Sequence, residues 1–334
     1  MKVIKAIFTL FFLLLCLSSK AQTQIKLKFA TLSEAQSFIS ADDHYTKGLS
    51  PFDIDSRVGK VNSTVQELKE LQKAECREWF QSEIDIICKS FKIIEQRLVE
   101  GGYNIPLPTE VVMIKTTMRE EGNAGAYTRE NQIYVGSGVV GLRKMRDGTE
   151  LPIPSAESLC SLMAHELFHV LTRNNLNFKS AMYRIIGFTR LEKEIQFPDD
   201  VLTLRISNPD VSCYDSYANI TVNGVKQNCT MINVANKAYE GGSFFRYLKV
   251  GFIPLDNNFT PIVKDGKTVI YDLDDATDFY NLVGRNTGYV INPEECLADN
   301  FSIAVNGFQP SPRRQELPNP EIVEKIREAL KIRY

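Results

Sequence analysis

Residues 165–169 read His-Glu-Leu-Phe-His. On a helix, side chains four residues apart stand on one face, one turn above the other. Two imidazoles so placed can both reach one Zn²⁺ at about 2.0–2.1 Å. Glu166 projects close to that face without occupying a ligand position, so its carboxylate can take a proton from an activated water. The chain holds three histidines, and two of them are in this pentapeptide. With His this rare, a chance match is expected on the order of once per several hundred chains of this length.

A catalytic zinc keeps three protein ligands and one open position. An extended motif with Gly three and His six residues after His169 is absent: Thr172 and Asn175 stand there. His44 lies in the polar stretch Ala41-Asp42-Asp43-His44-Tyr45 and is expected at the surface. Glu295 is the better third ligand. It sits in Pro293-Glu294-Glu295-Cys296-Leu297-Ala298-Asp299, where Pro293 opens an expected helix through about Val305. Asp299 is one turn further on the same face and can accept the outer N–H of a ligand histidine, fixing its tautomer. Glu294 fits an acidic first turn that complements the helix dipole. Glu192 and Glu194 are rivals for the metal, with Gln196 and Pro198 where an Asp is wanted, and Glu240 beside Gly241-Gly242 is another.

His-Glu-Leu-Phe-His followed by a later helix with Glu-x-x-Ala-Asp resembles the gluzincins, the thermolysin-like clan of zinc peptidases. The resemblance implies that His165, His169 and Glu295 bind Zn²⁺, that Asp299 orients a histidine, and that Glu166 is the base. It implies an α+β, zincin-like catalytic domain acting on a protein or peptide substrate. Thr128-Arg129 and Gln132-Ile133-Tyr134-Val135 resemble the clan's edge strand, which pairs with substrate by strand addition. Members of the clan stabilise the oxyanion with a Tyr or His. Tyr289 is the candidate here, with Tyr239 the rival. One feature departs from thermolysin itself: 125 residues separate His169 from Glu295. The intervening β-rich stretch is therefore expected to be an insert.

The elements that must position these residues are legible in outline. Ser155 can cap a helix whose apolar face is Leu159, Leu162, Met163, Leu167, Val170 and Leu171, and Asn174-Asn175 ends it. Residues 178–186 read as a further short helix closed by Gly187. Upstream, residues 62–100 carry three- and four-residue apolar steps from Val65 to Leu98 and read as helical, stopped by Gly101-Gly102. Ser50-Pro51-Phe52-Asp53 reads as a turn or cap. Val111–Thr116 and Tyr127–Val135 are expected strands. From about 199 to 291, Val201–Ile206, Ala218–Val222 and Thr268–Tyr271 read as strands, with hairpin turns at Asn223-Gly224 and Asp265-Gly266. A last helix is expected from about Pro320 to Ile332.

Lys2 and Lys5 precede an apolar run, Ile7–Leu17, interrupted only by Thr9 and Cys16. Ser19-Lys20-Ala21 then offers small residues for signal-peptidase cleavage after Ala21. The run is too short to span a bilayer of about 30 Å. The expected organisation is a signal peptide (1–21), a helical region and catalytic core (22–198), a β-rich insert (199–291), and C-terminal helices with the third ligand (292–334). Secretion to a periplasm or extracellular space follows, with no membrane span after cleavage. Losing Lys2, Lys5 and Lys20 takes the formal net charge from −2 to −5, which disfavours a nucleic-acid partner.

Six cysteines remain after cleavage, and export permits disulfides. Cys213 with Cys229, flanking Asn223-Gly224, is the expected pair. Cys76 and Cys88 are too far apart if they share one unbroken helix. Cys160 and Cys296 either staple the two ligand helices or are core thiols. The foremost function is a secreted zinc metallopeptidase. Two others stay open: an exported binding or structural protein with an inactive zinc site, and a metal-dependent hydrolase of a non-peptide amide.

Overall fold

The computed structural model describes residues 24–144, 150–211, 213–312 and 314–334. The expected signal segment lies outside them. Local capping starts the early helices. Thr31, Ser50 and Thr64 each form a reciprocal box with an acid three residues on, opening α1 (Leu32–Ile39), α3 (Pro51–Val58) and α4 (Val65–Glu75); the short α2 (His44–Gly48) lies between the first two. α5 (Gln81–Gly101) ends where Gly102 adopts φ 66°, the left-handed cap that glycine takes without steric cost.

A five-stranded sheet holds β1 (Leu27–Phe29), β2 (Cys76–Arg77), β3 (Val111–Thr116), β4 (Ala126–Arg129) and β5 (Gln132–Gly136). Its order is β1-β3-β5-β4, with β2 also on β3. Along β3 the residues alternate between two cores. Val111 and Met113 join the main core, and Val112 and Ile114 join a smaller one with Tyr127 and Tyr134, as the two-residue period of a strand requires. A small hairpin, β6 (Gly141–Lys144) and β7 (Glu150–Ile153), leads to the motif helix.

α6 (Ala156–Asn174) carries the His-Glu-Leu-Phe-His stretch, capped by Ser155. Asn175 ends it and at the same time caps α7 (Leu176–Ile185), accepting from Phe178 N at 2.9 Å. α6 runs through the centre of the molecule, packed on α5, α7, β4 and α10 (Pro293–Asn306) once the C-terminal part of the chain returns. Leu167, Phe168, Val170 and Leu171 are fully buried. At about 1.5–3 kcal/mol for each large apolar side chain, their burial fixes which face of α6 remains for the histidines.

The second sheet contains β8 (Phe188–Arg190), β9 (Ser216–Val222), β10 (Val225–Ala235), β11 (Leu248–Pro254) and β14 (Tyr271–Asp272), ordered β14-β11-β10-β9-β8. β12 (Val263–Lys264) and β13 (Lys267–Thr268) form a separate pair. The β-rich stretch is thus present, and its sheet begins at β8, ahead of residue 199. One face, with Ile220, Cys229, Met231 and Phe252, joins the main core; Ile232, Val234 and Ile253 pack on the other side with Val201 and Phe197. α9 (Phe279–Val283) and α11 (Pro320–Leu330) complete an α+β fold. No helix among the described residues is long and apolar enough to cross a membrane.

Several expected elements differ. The 62–100 run is two helices, because Cys76–Arg77 leaves the helix to pair with Thr116 and Lys115 of β3. The strand expected at Tyr127–Val135 is the hairpin β4–β5, reversing where Glu130 takes φ 47°. Val201–Ile206 is not a strand: Pro198, Asp199 and Asp200 start α8 (Asp199–Leu204). Thr268–Tyr271 is divided between β13 and β14, which have different partners. Both hairpin turns form as expected, with φ 48° and 74° at Asn223-Gly224 and 49° and 72° at Asp265-Gly266.

The Cys213–Cys229 disulfide does not form, and Cys229 is a buried free thiol. The hairpin register sets Ala218, not Cys213, opposite Cys229. Cys160 and Cys296 are core thiols that contact backbone carbonyls rather than each other.

Candidate metal centre

Two helices far apart in sequence meet where side chains of one bond the backbone of the other. Ser302 Oγ donates to Ser161 O at 2.8 Å, and Asn306 Nδ2 donates to Cys160 O at 3.1 Å, locking α10 against α6. Phe301 and Phe168 meet with ring centres 5.3 Å apart. At this register Glu295 faces both histidines. Its Oε2 lies 3.1 Å from His165 Nε2 and 3.6 Å from His169 Nε2. Donor atoms about 2.0–2.1 Å from a tetrahedral ion stand about 3.4 Å apart, so these separations fit a shared cation. His165, His169 and Glu295 offer donor atoms all within 4.8 Å of one another and could hold a metal ion.

Two buried polar atoms support that use. His169 is wholly buried, yet its Nε2 has no hydrogen-bond partner; Glu166 Oε2 is likewise buried and unpartnered. An orphaned buried imidazole nitrogen costs about 1–3 kcal/mol, which an ion at that point would offset.

The outer faces of both imidazoles meet carboxylates. His165 Nδ1 lies 2.8 Å from Asp299 Oδ1, the pairing expected from the one-turn spacing. His169 Nδ1 lies 3.3 Å from Glu294 Oε1. The latter corrects the expectation for Glu294. It is 2% exposed and accepts from Tyr183 Oη at 2.6 Å and from Thr172 Oγ1, so it does more than complement a helix dipole. Such outer partners set the tautomer and raise the basicity of ligand histidines.

The charges in the metal-free protein follow. Burial disfavours a charged His165, but Asp299 and Glu295 outweigh it and raise the imidazole to about 10. His169 is raised as well, by Asp210, Glu295 and Glu294 acting against its burial. Despite burial, the two histidines hold Glu295 well below the usual carboxylate range. Burial and the neighbouring Asp210 carboxylate push Glu166 up to about 8, against the pull of the histidines.

A cleft of about 710 Å³ opens over this group, lined by His165, Glu166, Glu295 and Asp299 together with Ala126, Leu162, Phe245, Tyr289, Phe308 and Arg314. Tyr289 stands at its rim, 43% exposed, with its ring centre 6.3 Å from that of His165. Tyr239 is elsewhere, bonding Gly242 O and packing on Phe52. Glu194 accepts from Tyr214 N near the exposed His44, Glu240 pairs with Lys237 at the surface, and Glu192 is exposed. None of these three glutamates joins the cluster.

Two residues at the centre carried no sequence signal. Asn208 Nδ2 donates to Glu295 Oε1, and Asp210 lies within 4.8 Å of donor atoms of Glu166 and His169. They come from an irregular segment after α8, which no periodicity or motif marks. β4 is the outermost strand of its sheet, beside α6. Gly136 N bonds Gly125 O, so the hydrogen-bonding phase turns the amides of Ala126 and Thr128 outward.

No protein-family model matches this chain, and neither a curated protein nor a solved structure does so.

Proposed function

We propose that this chain is a zinc-dependent metallopeptidase of the gluzincin type, hydrolysing peptide bonds outside the cytoplasm. The observation that carries the reading is the convergence of His165, His169 and Glu295, with each imidazole backed by a carboxylate, beside the buried carboxylate of Glu166. Nitrogen and carboxylate donors in a three-ligand set are those of catalytic zinc. When bound, zinc supplies Lewis-acid polarisation of the scissile carbonyl and activation of a water.

The chain's own residues do the rest. The outward amide and carbonyl of Ala126 on β4 align an extended substrate by strand addition. Glu166 takes the proton of the attacking water and passes it to the leaving amine. Tyr289, at the rim, donates its phenolic O–H to the oxygen that gains charge. Asp299 and Glu294 hold the two imidazoles in place. The apolar walls around Leu162, Phe245 and Phe308 exclude bulk water and receive substrate side chains.

The test is zinc stoichiometry of the chain lacking residues 1–21, beside Glu295→Ala, followed by profiling on a peptide library. About one zinc per chain, much weaker retention by the variant, and cleavage abolished by a chelator are the expected results. A chain that takes up no zinc when it is supplied overturns the reading. Zinc uptake without cleavage of any peptide retains the metal site and removes the peptidase.

A further inference from the structure

We infer that Asp210 closes one end of the cleft and binds the free α-ammonium of the substrate, so that the site removes single residues from the amino termini of peptides. This rests on the peptidase reading and specifies its substrate.

The edge of β4 is not open along its whole length. Thr128 N, one of its two outward amides, already donates to Asp210 Oδ1 at 2.6 Å, and Thr128 Oγ1 donates to the same atom at 2.8 Å. A peptide added to this edge can run beside Ala126, which lines the cleft, but cannot continue past Thr128. The closure is built into the framework. Arg173, one turn beyond His169 on α6, bonds Thr128 Oγ1 at 3.0 Å, Asp210 O at 3.2 Å and Pro209 O at 3.3 Å. Asn208, two residues before Asp210, is tied to Glu295. A segment held by both ligand helices is a wall of the site rather than a movable plug.

The wall presents a carboxyl group to the centre. Arg173 reaches the backbone carbonyl of Asp210, while the Asp210 carboxylate turns toward Glu166 and His169, with donor atoms within 4.8 Å. Glu166 Oε2 beside it is buried without a partner. Thr128 satisfies this carboxyl at Oδ1, and a neutral peptide backbone extending into this end would bring it no further charge. A primary ammonium supplies a positive charge and three donors.

Length selects the first residue. An α-nitrogen and the carbonyl carbon of its own residue are about 2.5 Å apart, whereas each further residue adds about 3.8 Å. Asp210 is a few ångströms from the ligand His169, so an amine bound to it belongs to the residue whose carbonyl is attacked. In the reaction the water oxygen bonds to that carbonyl carbon and the C–N bond breaks. The proton taken by Glu166 goes to the leaving nitrogen, giving a free amino acid and a peptide one residue shorter.

The experiment compares the zinc-loaded chain on pairs of peptides that differ only in N-terminal acetylation. At least a hundredfold higher kcat/KM on the free-amine member is expected. Asp210→Asn keeps an oxygen for Thr128 and should lower kcat/KM on that member about a hundredfold, mainly through KM. Zinc content and thermal melting of this variant report its folding. Binding supplies an independent readout: leucine hydroxamate should bind the parent at least tenfold tighter than N-acetylleucine hydroxamate, and Asp210→Asn should erase that difference. Equal cleavage of acetylated and free peptides leaves the peptidase standing and overturns the amino-terminal assignment. So does an Asp210→Ala variant that gains cleavage at internal bonds without loss on free amines, because Asp210 is then only an obstruction. Absence of cleavage on every peptide by the zinc-loaded chain overturns the peptidase reading, and this inference with it.

Discussion

Glu294 stands behind His169 while its neighbour Glu295 stands in front: the first lies 3.3 Å from Nδ1 and the second 3.6 Å from Nε2 of the same ring. Consecutive helical residues project about 100° apart. Two adjacent glutamates therefore reach opposite nitrogens of one imidazole from the first turn of a single helix. That first turn belongs to α10 and is capped by Asn292.

This arrangement predicts that Glu294→Gln and Asp299→Asn each weaken zinc binding about 10–100-fold without removing a ligand. Competition against a chromophoric chelator measures it. Unchanged affinity in Glu294→Gln would reduce that residue to packing.

Glu166→Gln should retain zinc at the parental stoichiometry and lose turnover by about 10²–10⁴-fold, the range of a missing general base. Side-by-side metal analysis and single-peptide kinetics decide this. Turnover near the parental rate would assign the base elsewhere.

Zinc and protons should compete. In the metal-free protein the carboxylates hold a proton on His165 up to about pH 10, and that proton must leave before its nitrogen can bind a cation. Apparent zinc affinity should therefore rise with pH from 6 to 9, with protons released on uptake. Calorimetry in buffers of different ionisation enthalpy counts them. Chelation should also lower the melting temperature, since zinc at a thousandfold its dissociation constant stabilises by about 4 kcal/mol.

Glu120 makes a pH prediction independent of the metal. It is fully buried, bonded at Oε1 by Thr116 and Tyr127 and unpartnered at Oε2. Burial pushes it up to about 7 from the usual 4.5. The folded chain then binds a proton that the unfolded chain has lost, so stability falls as pH rises from about 4.5 through 7. At about 1.4 kcal/mol per pKa unit the whole fall is about 3.5 kcal/mol. Unfolding free energies from urea melts should show the parent losing about 2.5 kcal/mol relative to Glu120→Gln between pH 5 and 8; parallel curves would rule out Glu120 as the source.

The residues of the candidate site that could be read in advance are those whose relation is helical. His165, Glu166 and His169 share one turn, and Glu295 and Asp299 share another, so spacing alone sets which side chains lie together. Hairpin turns at Asn223-Gly224 and Asp265-Gly266 were equally legible, because positive φ at both positions demands those residue types. Where a local pattern has two solutions, the outcome was decided by a distant partner. Cys76–Arg77 interrupts an apolar helical run because β3 takes it as a strand, and the reversal at Glu130 makes one apolar stretch into two antiparallel strands.

By itself the sequence determined the motif helix, the histidine pair on it and the composition of the helix that brings Glu295. Only the tertiary structure decided that α10 docks on α6 in the register that converges the donors, that Glu294 backs His169, and that Asn208 and Asp210 reach the centre. The physical reason is that these contacts join segments 37 or more residues apart in the chain and depend on the packing of Phe168 on Phe301 and on the anchoring of an irregular segment by Arg173. Periodicity carries no information about either.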